Sequence, residues 1–236
     1  MNKNLDAIKS IAEALKEINS EVVFVGGATV ELYIDDKAAP TPQPSEDVDC
    51  VVELLTYSEW IKFEERLRKK GFSDYDSSRE DLNPPTCRKY ILGMKVDFMP
   101  IEEKVLGYSN KWFKEGLKFA TKIKIENTVI RIFTLEYFLA TKFQAFLDRG
   151  EMDDIRFSQD LEDLTEIFDG ATTIEQKVLG SSVDVKAFLQ SSIKEFIENK
   201  ELIEEAMFGF LDYDDINIKQ KRVERIFELF SRLVTP

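Results

Sequence analysis

The chain has 236 residues, of which 43% are hydrophobic and 33% charged, and its formal net charge is −13. This composition is typical of a folded globular protein and excludes general disorder. The sequence has no histidine, which excludes Ser-His-Asp and Cys-His catalysis, and its two cysteines are too few for a disulfide framework or a thiolate zinc site. Acid–base and metal chemistry would therefore come from carboxylates.

The pattern of charges also indicates location and partners. No apolar run approaches the roughly 20 residues of a membrane span, and charges interrupt the N-terminal region, unlike the apolar core of a secretory signal. We therefore expect a cytoplasmic protein. The acidic net charge argues against tight, sequence-independent binding of nucleic acid, which depends on cations that displace counterions. A local basic patch is expected at Lys111, Lys114, Lys118, Lys122 and Lys124.

The first half of the chain predicts a mixture of helices and strands, from apolar periodicity and from its glycines and prolines. In chain order we predict a helix over 5–18, a strand over 21–25, a short helix over 28–34, a loop over 35–46, a strand over 47–54, a helix over 57–70, and hairpins over 86–99 and 123–133. The hairpins are expected to turn at Gly93 and near Glu126.

The second half of the chain predicts helices alone. They are expected over 135–147, 159–168, 183–199, 200–210 and 217–233. Thr134 and Ser158 are predicted N-caps, because each precedes the first turn of a predicted helix. The fold class is therefore α+β, with a sheet-containing core over 1–133 and an all-helical C-terminal domain over 134–236.

Three features follow one another along the predicted strands: Gly26-Gly27 after one strand, Asp47 and Asp49 at the start of the next, and Asp97 within a later one. Residues i and i+2 of a strand face the same side, so Asp47 and Asp49 would present adjacent carboxylates. Such a pair repels unless a cation lies between its members, and hard carboxylate oxygens suit Mg²⁺ or Mn²⁺. If the Asp97 strand lies beside this one, three carboxylates converge on a metal site.

The glycine pair would supply the phosphate-binding half of the site. Without side chains, Gly26 and Gly27 let the backbone approach a phosphate, and the following helix would direct its free N–H groups to the same point. Thr29 would add a hydroxyl. Each feature also has a plainer interpretation: a tight turn, a solvated strand end, and an aspartate satisfied by a neighbouring cation. Their order on the predicted elements favours the functional interpretation.

Several segments between residues 20 and 170 follow one another in the order found in a known family. They are 25–30, 46–53, 95–100, 106–112, 138–146, 149–150 and 158–164. With them the chain resembles the polymerase-β-like nucleotidyltransferase superfamily and, more closely, the bacterial nucleotidyltransferases related to abortive-infection toxins. Two departures are a longer interval between Gly27 and Asp47, and Gln43 where relatives often carry an arginine.

The resemblance implies a polymerase-β-like core and roles for the residues named above. Asp47 and Asp49 would be the metal-binding pair, with Asp97 as the third carboxylate or base. Gly26-Gly27 would begin the phosphate loop. The cofactor would be Mg²⁺ or Mn²⁺, and the substrate a nucleoside triphosphate.

The resemblance also implies a contribution from the second half of the chain. In the toxin-like group a lysine and a later aspartate complete the site, and these would be Lys142 and Asp160, with Asp163 as the alternative. Lys142 and Arg149 share a helical face and would together hold a triphosphate. The plainer interpretation is a solvated helix face with Asp148 as the partner.

The resemblance implies transfer of a nucleoside monophosphate to an acceptor. The acceptor would be an RNA 3′ end such as that of tRNA, docked on the basic stretch 111–131, or a protein. The chain could then be the toxin of a toxin–antitoxin pair, with an antitoxin as partner. Two alternatives stay open: a small acceptor, as in aminoglycoside-modifying relatives, and a catalytically silent module that binds a nucleotide or a partner.

Overall fold

We describe the protein from a computed structural model, which covers residues 3–75, 84–150 and 155–235. The contacts divide the chain into two compact units. The first unit comprises Met1–Thr29 and Pro44–Thr134, and the second comprises Val30–Gln43 and Leu135–Pro236. The first contains the sheet and the second is helical, which confirms the α+β class. The domain boundary after residue 133 stays a prediction.

The first unit is organised around a six-stranded mixed sheet. Its strands are β1 (Val22–Val25), β2 (Asp47–Val52), β3 (Arg88–Ile91), β4 (Met94–Pro100), β5 (Thr121–Ile125) and β6 (Thr128–Ile132), in the order β3-β4-β2-β1-β6-β5. The β3–β4 and β5–β6 pairs are antiparallel hairpins, as predicted. β2 is antiparallel to β1 and parallel to β4, so the strands that carry the predicted carboxylates are neighbours.

The predicted first helix is divided in two. α1 covers Lys3–Leu15, and a 3-10 helix follows over Lys16–Glu21. The α-helix stops at this point because Lys16 has a φ of 54°, in the left-handed region that a right-handed helix does not use. The apolar face predicted for α1 is buried, including Ile8, Ile11 and Leu15.

Three further α-helices of the first unit lie within the described residues. They are α2 (Tyr57–Lys69), α3 (Glu103–Leu106) and α4 (Phe113–Lys118). α2 begins with a capping box, in which the Thr56 hydroxyl accepts from the Glu59 N–H and the Glu59 carboxylate accepts from the Thr56 N–H. The sequence predicts α2 but not α3 or α4, because one or two turns are too short to show helical periodicity.

Aromatic packing determines which way β4 faces. Phe98 is fully buried, with its ring centroid 5.4 Å from that of Phe63 on α2 and 5.7 Å from that of Phe72. Successive side chains of a strand point to opposite faces, so the burial of Val96 and Phe98 turns Asp97 to the other face of the sheet. The apolar core thus positions one of the predicted site residues.

The second unit contains six α-helices within the described residues. They are α5 (Leu135–Arg149), α6 (Gln159–Gly170), α7 (Ile174–Leu179), α8 (Val183–Glu198), α9 (Lys200–Phe210) and α10 (Ile216–Val234). Phenylalanines from four of them form the core: centroids lie 5.1 Å apart for Phe143 and Phe196, and 4.8 Å apart for Phe168 and Phe230. In the part of the chain that the structure describes, no helix combines the length and apolarity needed to span a bilayer.

One of the two predicted N-caps is confirmed. The Ser158 hydroxyl accepts a hydrogen bond from the Leu161 N–H at 3.0 Å, at the start of α6. The Thr134 prediction is wrong, because its hydroxyl is buried without a hydrogen-bond partner among the described residues. A cap needs a side chain directed back at the first turn, and the sequence position alone does not ensure that direction.

The segment Val30–Gln43 packs within the helical unit. The N–H groups of Asp35 and Asp36 both donate to the Gly170 carbonyl, at 3.1 and 2.9 Å. A Cβ on Gly170 would lie 2.8 Å from a carbon of the Ile34 side chain, so a larger residue here would displace Ile34. The predicted loop over 35–46 is therefore held to α6 along its first part.

Candidate active site

The three predicted carboxylates lie on one face of two adjacent strands. Along β2, Val48 and Cys50 are buried, whereas Asp47 and Asp49 keep some exposure, which is the predicted alternation. In the parallel β2–β4 ladder Asp49 lies directly opposite Asp97. Residues opposite each other in a ladder share a face, so the structure brings these aspartates together.

Gly26 lies in direct contact with this face. Val25 is paired with Asp49 in the β1–β2 ladder, so the next residue, Gly26, turns over the Asp49 side chain. A Cβ built on Gly26 would stand 2.0 Å from the Asp49 Oδ2, and the Gly26 φ of 74° is left-handed. Glycine is therefore required at this position for conformation and for space.

Replacing Gly26 with alanine is expected to destabilise the protein by about 2–4 kcal/mol. Strain at left-handed φ accounts for about 1–2 kcal/mol. Displacement of the Asp49 carboxylate accounts for the rest, because the two groups overlap. The matched control is Gly71→Ala, at a φ of 91° with nothing within 4 Å of its Cβ. Chemical denaturation measures both variants, and equal losses would contradict the steric argument.

The residues after Gly26 form a compact turn. Gly27–Tyr33 is a 3-10 helix, at the place where the sequence predicts a short helix over 28–34. Thr29 is fully buried, and both its N–H and its hydroxyl donate to the Gly26 carbonyl, at 3.0 and 2.8 Å. Thr29 therefore stabilises the shape of the glycine turn. The predicted contacts of Gly26, Gly27 and Thr29 with a nucleotide stay predictions.

Arg88 is a member of this face that the sequence patterns did not predict. Its Nε donates to Asp97 Oδ1 and its Nη2 to Asp97 Oδ2, both at 2.8 Å. The same Nη2 donates to Asp47 Oδ2 at 2.9 Å. Arg88 lies opposite Asp97 in the β3–β4 ladder. Counting outward from the turn at Gly93 would have found this pair, and it agrees with the plainer interpretation of Asp97.

The electrostatics of the face favour an added cation. Burial, and then the nearby charge of Asp97, raise the pKa of Asp47 above its usual range. The hydrogen bonds to Asp97 raise the pKa of Arg88 further, so its guanidinium stays charged. Burial and the charge of Asp97 raise the pKa of the Cys87 thiol to about 12, so it stays protonated near neutral pH. A bound cation would therefore stabilise the ionised form of Asp47.

The donor chemistry fits a hard divalent ion at two of the three carboxylates. Asp47 and Asp49 offer oxygens from alternate positions of one strand. Both oxygens of Asp97 already accept hydrogen bonds from Arg88. Among the described residues, no three acidic or cysteine side chains are grouped so that they could hold a metal ion. The part of Asp97 in metal binding stays a prediction.

Lys142, Arg149, Asp160 and Asp163 form a cluster within the helical unit. Lys142 on α5 donates to Asp160 on α6 at 3.0 Å and also pairs with Asp163. Arg149 pairs with the other oxygen of Asp160, whose side chain is 2% exposed. The structure therefore brings the four predicted residues together, with each other as partners. Their roles toward a triphosphate stay predictions.

The charges of this cluster depend on one another. Burial alone would lower the pKa of Lys142, but the charges of Asp163 and Asp160 outweigh burial and raise it well above its usual range. Burial raises the pKa of Asp163, and Lys142 opposes that rise. Such a buried arrangement is costly to break, because removing one partner leaves the others without compensation. Asp148, the alternative partner considered for this helix face, accepts instead from Gln144 on its own helix.

Replacing Glu166 with glutamine is expected to stabilise the protein in a pH-dependent way. Burial, and then the charge of Asp163, raise the pKa of Glu166 from 4.5 to about 8. The pKa of Glu166 is higher in the folded state than in the unfolded state. The contribution of Glu166 to the free energy of unfolding is therefore full below about pH 4.5 and is lost as the pH rises through about 8. Glu166→Gln keeps the acceptor for the Gln43 N–H and cannot ionise. At pH 9 the variant is expected to melt about 2–4 °C above wild type.

The measurement is a thermal melt of wild type and Glu166→Gln at pH 5 and pH 9. The gain should be present at pH 9 and nearly absent at pH 5. Glu201→Gln on α9 removes the same charge from an exposed position and should show no such difference. A gain of equal size at both pH values would contradict the assignment of the effect to ionisation.

The predicted basic stretch begins in the turn at Lys111 and continues on α4 and on the edge strand β5. Lys114 donates to Glu102 at 2.9 Å, and Lys118 has an acidic partner one turn earlier. Lys122 and Lys124 are exposed on β5. Lysines on an edge strand also prevent association with other strands, which gives this pattern a structural explanation. RNA binding by this stretch stays a prediction.

Comparison with known proteins finds a likeness to solved structures. Neither the protein-family models nor the curated protein sequences contain a match to this chain. Among solved structures, the chain is similar to an antigenic nucleotidyltransferase-like protein from Paracoccidioides brasiliensis. The TM-score is 0.49 at 13% sequence identity, over 89% of this chain and 94% of that chain. A likeness of this degree decides nothing about function, which has to be inferred from the site.

Proposed function

We propose that the chain is a metal-dependent nucleotidyltransferase, which moves a nucleoside monophosphate from a nucleoside triphosphate to an acceptor. The observation that carries this proposal is the contact of Asp49 with Gly26. The carboxylate lies where a side chain at Gly26 would stand. A group that can hold a cation therefore adjoins the glycine turn, whose backbone N–H groups would bind the phosphate, and a metal-bound triphosphate needs both.

Each residue of the face has a role in this proposal. Asp47 and Asp49 would hold Mg²⁺ or Mn²⁺, which when bound activates the acceptor oxygen and neutralises the leaving pyrophosphate. Gly26 and Gly27 would offer backbone N–H groups to phosphate oxygens. Arg88 contributes a fixed positive charge beside Asp47.

Lys142 and Arg149 are proposed to hold the triphosphate, in exchange for contacts with Asp160.

We propose a macromolecular acceptor, either an RNA 3′ end such as that of tRNA or a protein hydroxyl. The sequence resemblance to the abortive-infection toxin group supports this choice, and an antitoxin would be a further partner. The exposed Lys122 and Lys124 support RNA. The net charge of −13 opposes it and suits a protein or a cationic small molecule such as an aminoglycoside.

A second candidate is a catalytically silent module that binds a nucleotide or a partner. Two observations favour it. Arg88 already neutralises Asp47 and Asp97, and Lys142 is paired with Asp160 and Asp163. In a silent module these ion pairs would be permanent, whereas in an enzyme some of them exchange for substrate and metal.

Label transfer separates these candidates. The purified protein is incubated with each of the four labelled nucleoside triphosphates, Mg²⁺ or Mn²⁺, total cellular RNA and protein extract, beside Asp47→Ala. Label that enters RNA, protein or a small molecule only with wild type supports the enzyme and identifies the acceptor class. Metal-dependent nucleotide binding without transfer supports the silent module. Absence of both contradicts the proposed site.

A further inference from the structure

The two edges of the six-stranded sheet differ in their pairing. On the outer side of β3, the Ser73 N–H donates to the Tyr90 carbonyl at 2.9 Å, and the Tyr90 N–H donates to the Ser73 carbonyl at 2.8 Å. On β5, at the other end of the sheet, the ladder with β6 is the only backbone pairing within the described residues. The β5 edge therefore keeps backbone donors and acceptors for a further strand.

Lys122 and Lys124 direct their backbone groups to this open edge. The Asn19 side chain donates to the Val129 carbonyl at 2.8 Å, so that carbonyl points away from β5. Val129 lies opposite Lys124 in the β5–β6 ladder, which makes the two residues a non-hydrogen-bonded pair. The N–H and carbonyl groups of Lys124 therefore point outward, and those of Lys122, two residues earlier, do the same.

The side chains of β5 indicate what a further strand would carry. Lys122 and Lys124 lie on one face of the sheet, and both are exposed. Within the described residues neither lysine takes part in an ion pair, although acidic residues outnumber basic ones by 45 to 32. Ile123 and Ile125 are half-buried on the other face. A strand with carboxylates opposite the lysines and apolar side chains between them would match both faces.

Two other occupants fit this edge less well. In a second copy of this chain the outward-pointing residues would pair with each other, so lysine would lie opposite lysine, and like charges in that position destabilise a sheet. RNA needs several cations for its phosphates, whereas the α4 lysines of the basic stretch already have acidic partners. The net charge of −13 also opposes RNA. The lysines thus exclude most strands from the edge and favour an acidic one.

We propose that the open edge of β5 binds an acidic strand of a partner protein, which extends the sheet antiparallel to β5. The carboxylates of that strand lie opposite Lys122 and Lys124, in hydrogen-bonded pairs whose Cα atoms are about 5.5 Å apart. Main-chain hydrogen bonds supply the affinity of such a complex, and the side-chain pairs supply its specificity. This inference goes beyond the proposed function, and its test needs neither nucleotide nor metal.

The test measures the binding of two fluorescein-labelled peptides by anisotropy. One peptide alternates glutamate with valine, and the other alternates lysine with valine. Wild type is expected to bind the glutamate peptide at least about tenfold more tightly, although the net charge of the whole chain would favour the lysine peptide. Lys122→Glu/Lys124→Glu should reverse this preference. The matched control Lys62→Glu/Lys69→Glu makes the same charge change at exposed positions of α2 and should keep the wild-type preference.

Amide hydrogen exchange locates the bound peptide. Exchange at the N–H groups of Lys122 and Lys124 should slow at least about tenfold when the glutamate peptide is bound, because these groups then donate to it. Absence of binding at about 1 mM glutamate peptide, an equal loss in the α2 control, or unchanged exchange at both lysines would each overturn the inference. Binding of single-stranded RNA at these lysines in place of the peptide would assign the edge to nucleic acid and overturn it as well.

Discussion

Replacing Asp47 with asparagine is expected to lower nucleotidyl transfer about 1000-fold or more. Metal-ion catalysis contributes several kcal/mol, and each 1.4 kcal/mol is tenfold in rate. Asparagine keeps the shape and an acceptor for Arg88 but removes the charge. Folding should be little affected, since burial and Asp97 already disfavour the ionised form of Asp47. The melting temperature is therefore expected within about 3 °C of wild type.

Glu46→Gln is the matched control for this prediction. Glu46 is the adjacent acid, its side chain is 84% exposed, and it lies 3.7 Å from Lys95. The control removes the same charge one position away, from an exposed side chain outside β2, and should keep transfer within about twofold. The measurement is the initial rate of label transfer at saturating Mg²⁺. More than about a tenth of wild-type activity in Asp47→Asn would contradict the metal-binding role.

Replacing Lys142 with alanine is expected to destabilise the protein by about 3–5 kcal/mol, which lowers the melting temperature by about 10 °C or more. The reason is that the carboxylates of Asp160 and Asp163 lose the buried ammonium between them. Burial already raises the pKa of Asp163, and without Lys142 it would rise further. The variant should therefore recover part of its stability as the pH falls from 7 to 5, when Asp163 takes up a proton.

Lys194→Ala is the control within the same unit. Lys194 lies 4.0 Å from Glu198, and the two side chains are 70% and 64% exposed, so the loss should be within about 0.5 kcal/mol. Urea denaturation at pH 7 and pH 5 measures all three proteins. If Lys142→Ala lost less than about 1 kcal/mol, the buried ion cluster would not be a stabilising element. An equal loss at both pH values would contradict protonation of Asp163 as the cause of the recovery.

Local patterns predicted the carboxylate face, and longer-range pairing explains what they missed. The alternation of Asp47 and Asp49 with buried neighbours is a property of one strand, and the hairpin register follows from one glycine turn. The contact of Arg88 with Asp47 depends on the strand order β3-β4-β2, in which β4 and β2 are neighbours although β3 lies between them along the chain. No periodicity within a segment encodes that order, so the contact of Arg88 with Asp47 could not be predicted, whereas its pairing with Asp97 follows from the hairpin register.

The helical unit shows the same division. Helix periodicity located α5 and α6 closely, and the family resemblance selected Lys142 and Asp160. That these residues neutralise each other depends on how two helices face one another, which periodicity does not specify. The attachment of Asp35 and Asp36 to the Gly170 carbonyl has the same origin, because its donors and acceptor are far apart along the chain.

The connection through Val30–Gln43 means that no single cut separates the two units. A fragment that begins at residue 135 lacks the early segment, so the Gly170 carbonyl loses two donors and Phe138 loses the ring of Tyr33. During synthesis this segment leaves the ribosome before any of the helices that receive it. Its hydrogen bonds to the Gly170 carbonyl can form only after α6 has been made. The helical unit can therefore be completed only after the first unit's segment between Val30–Gln43 and Leu135–Pro236 has been synthesised.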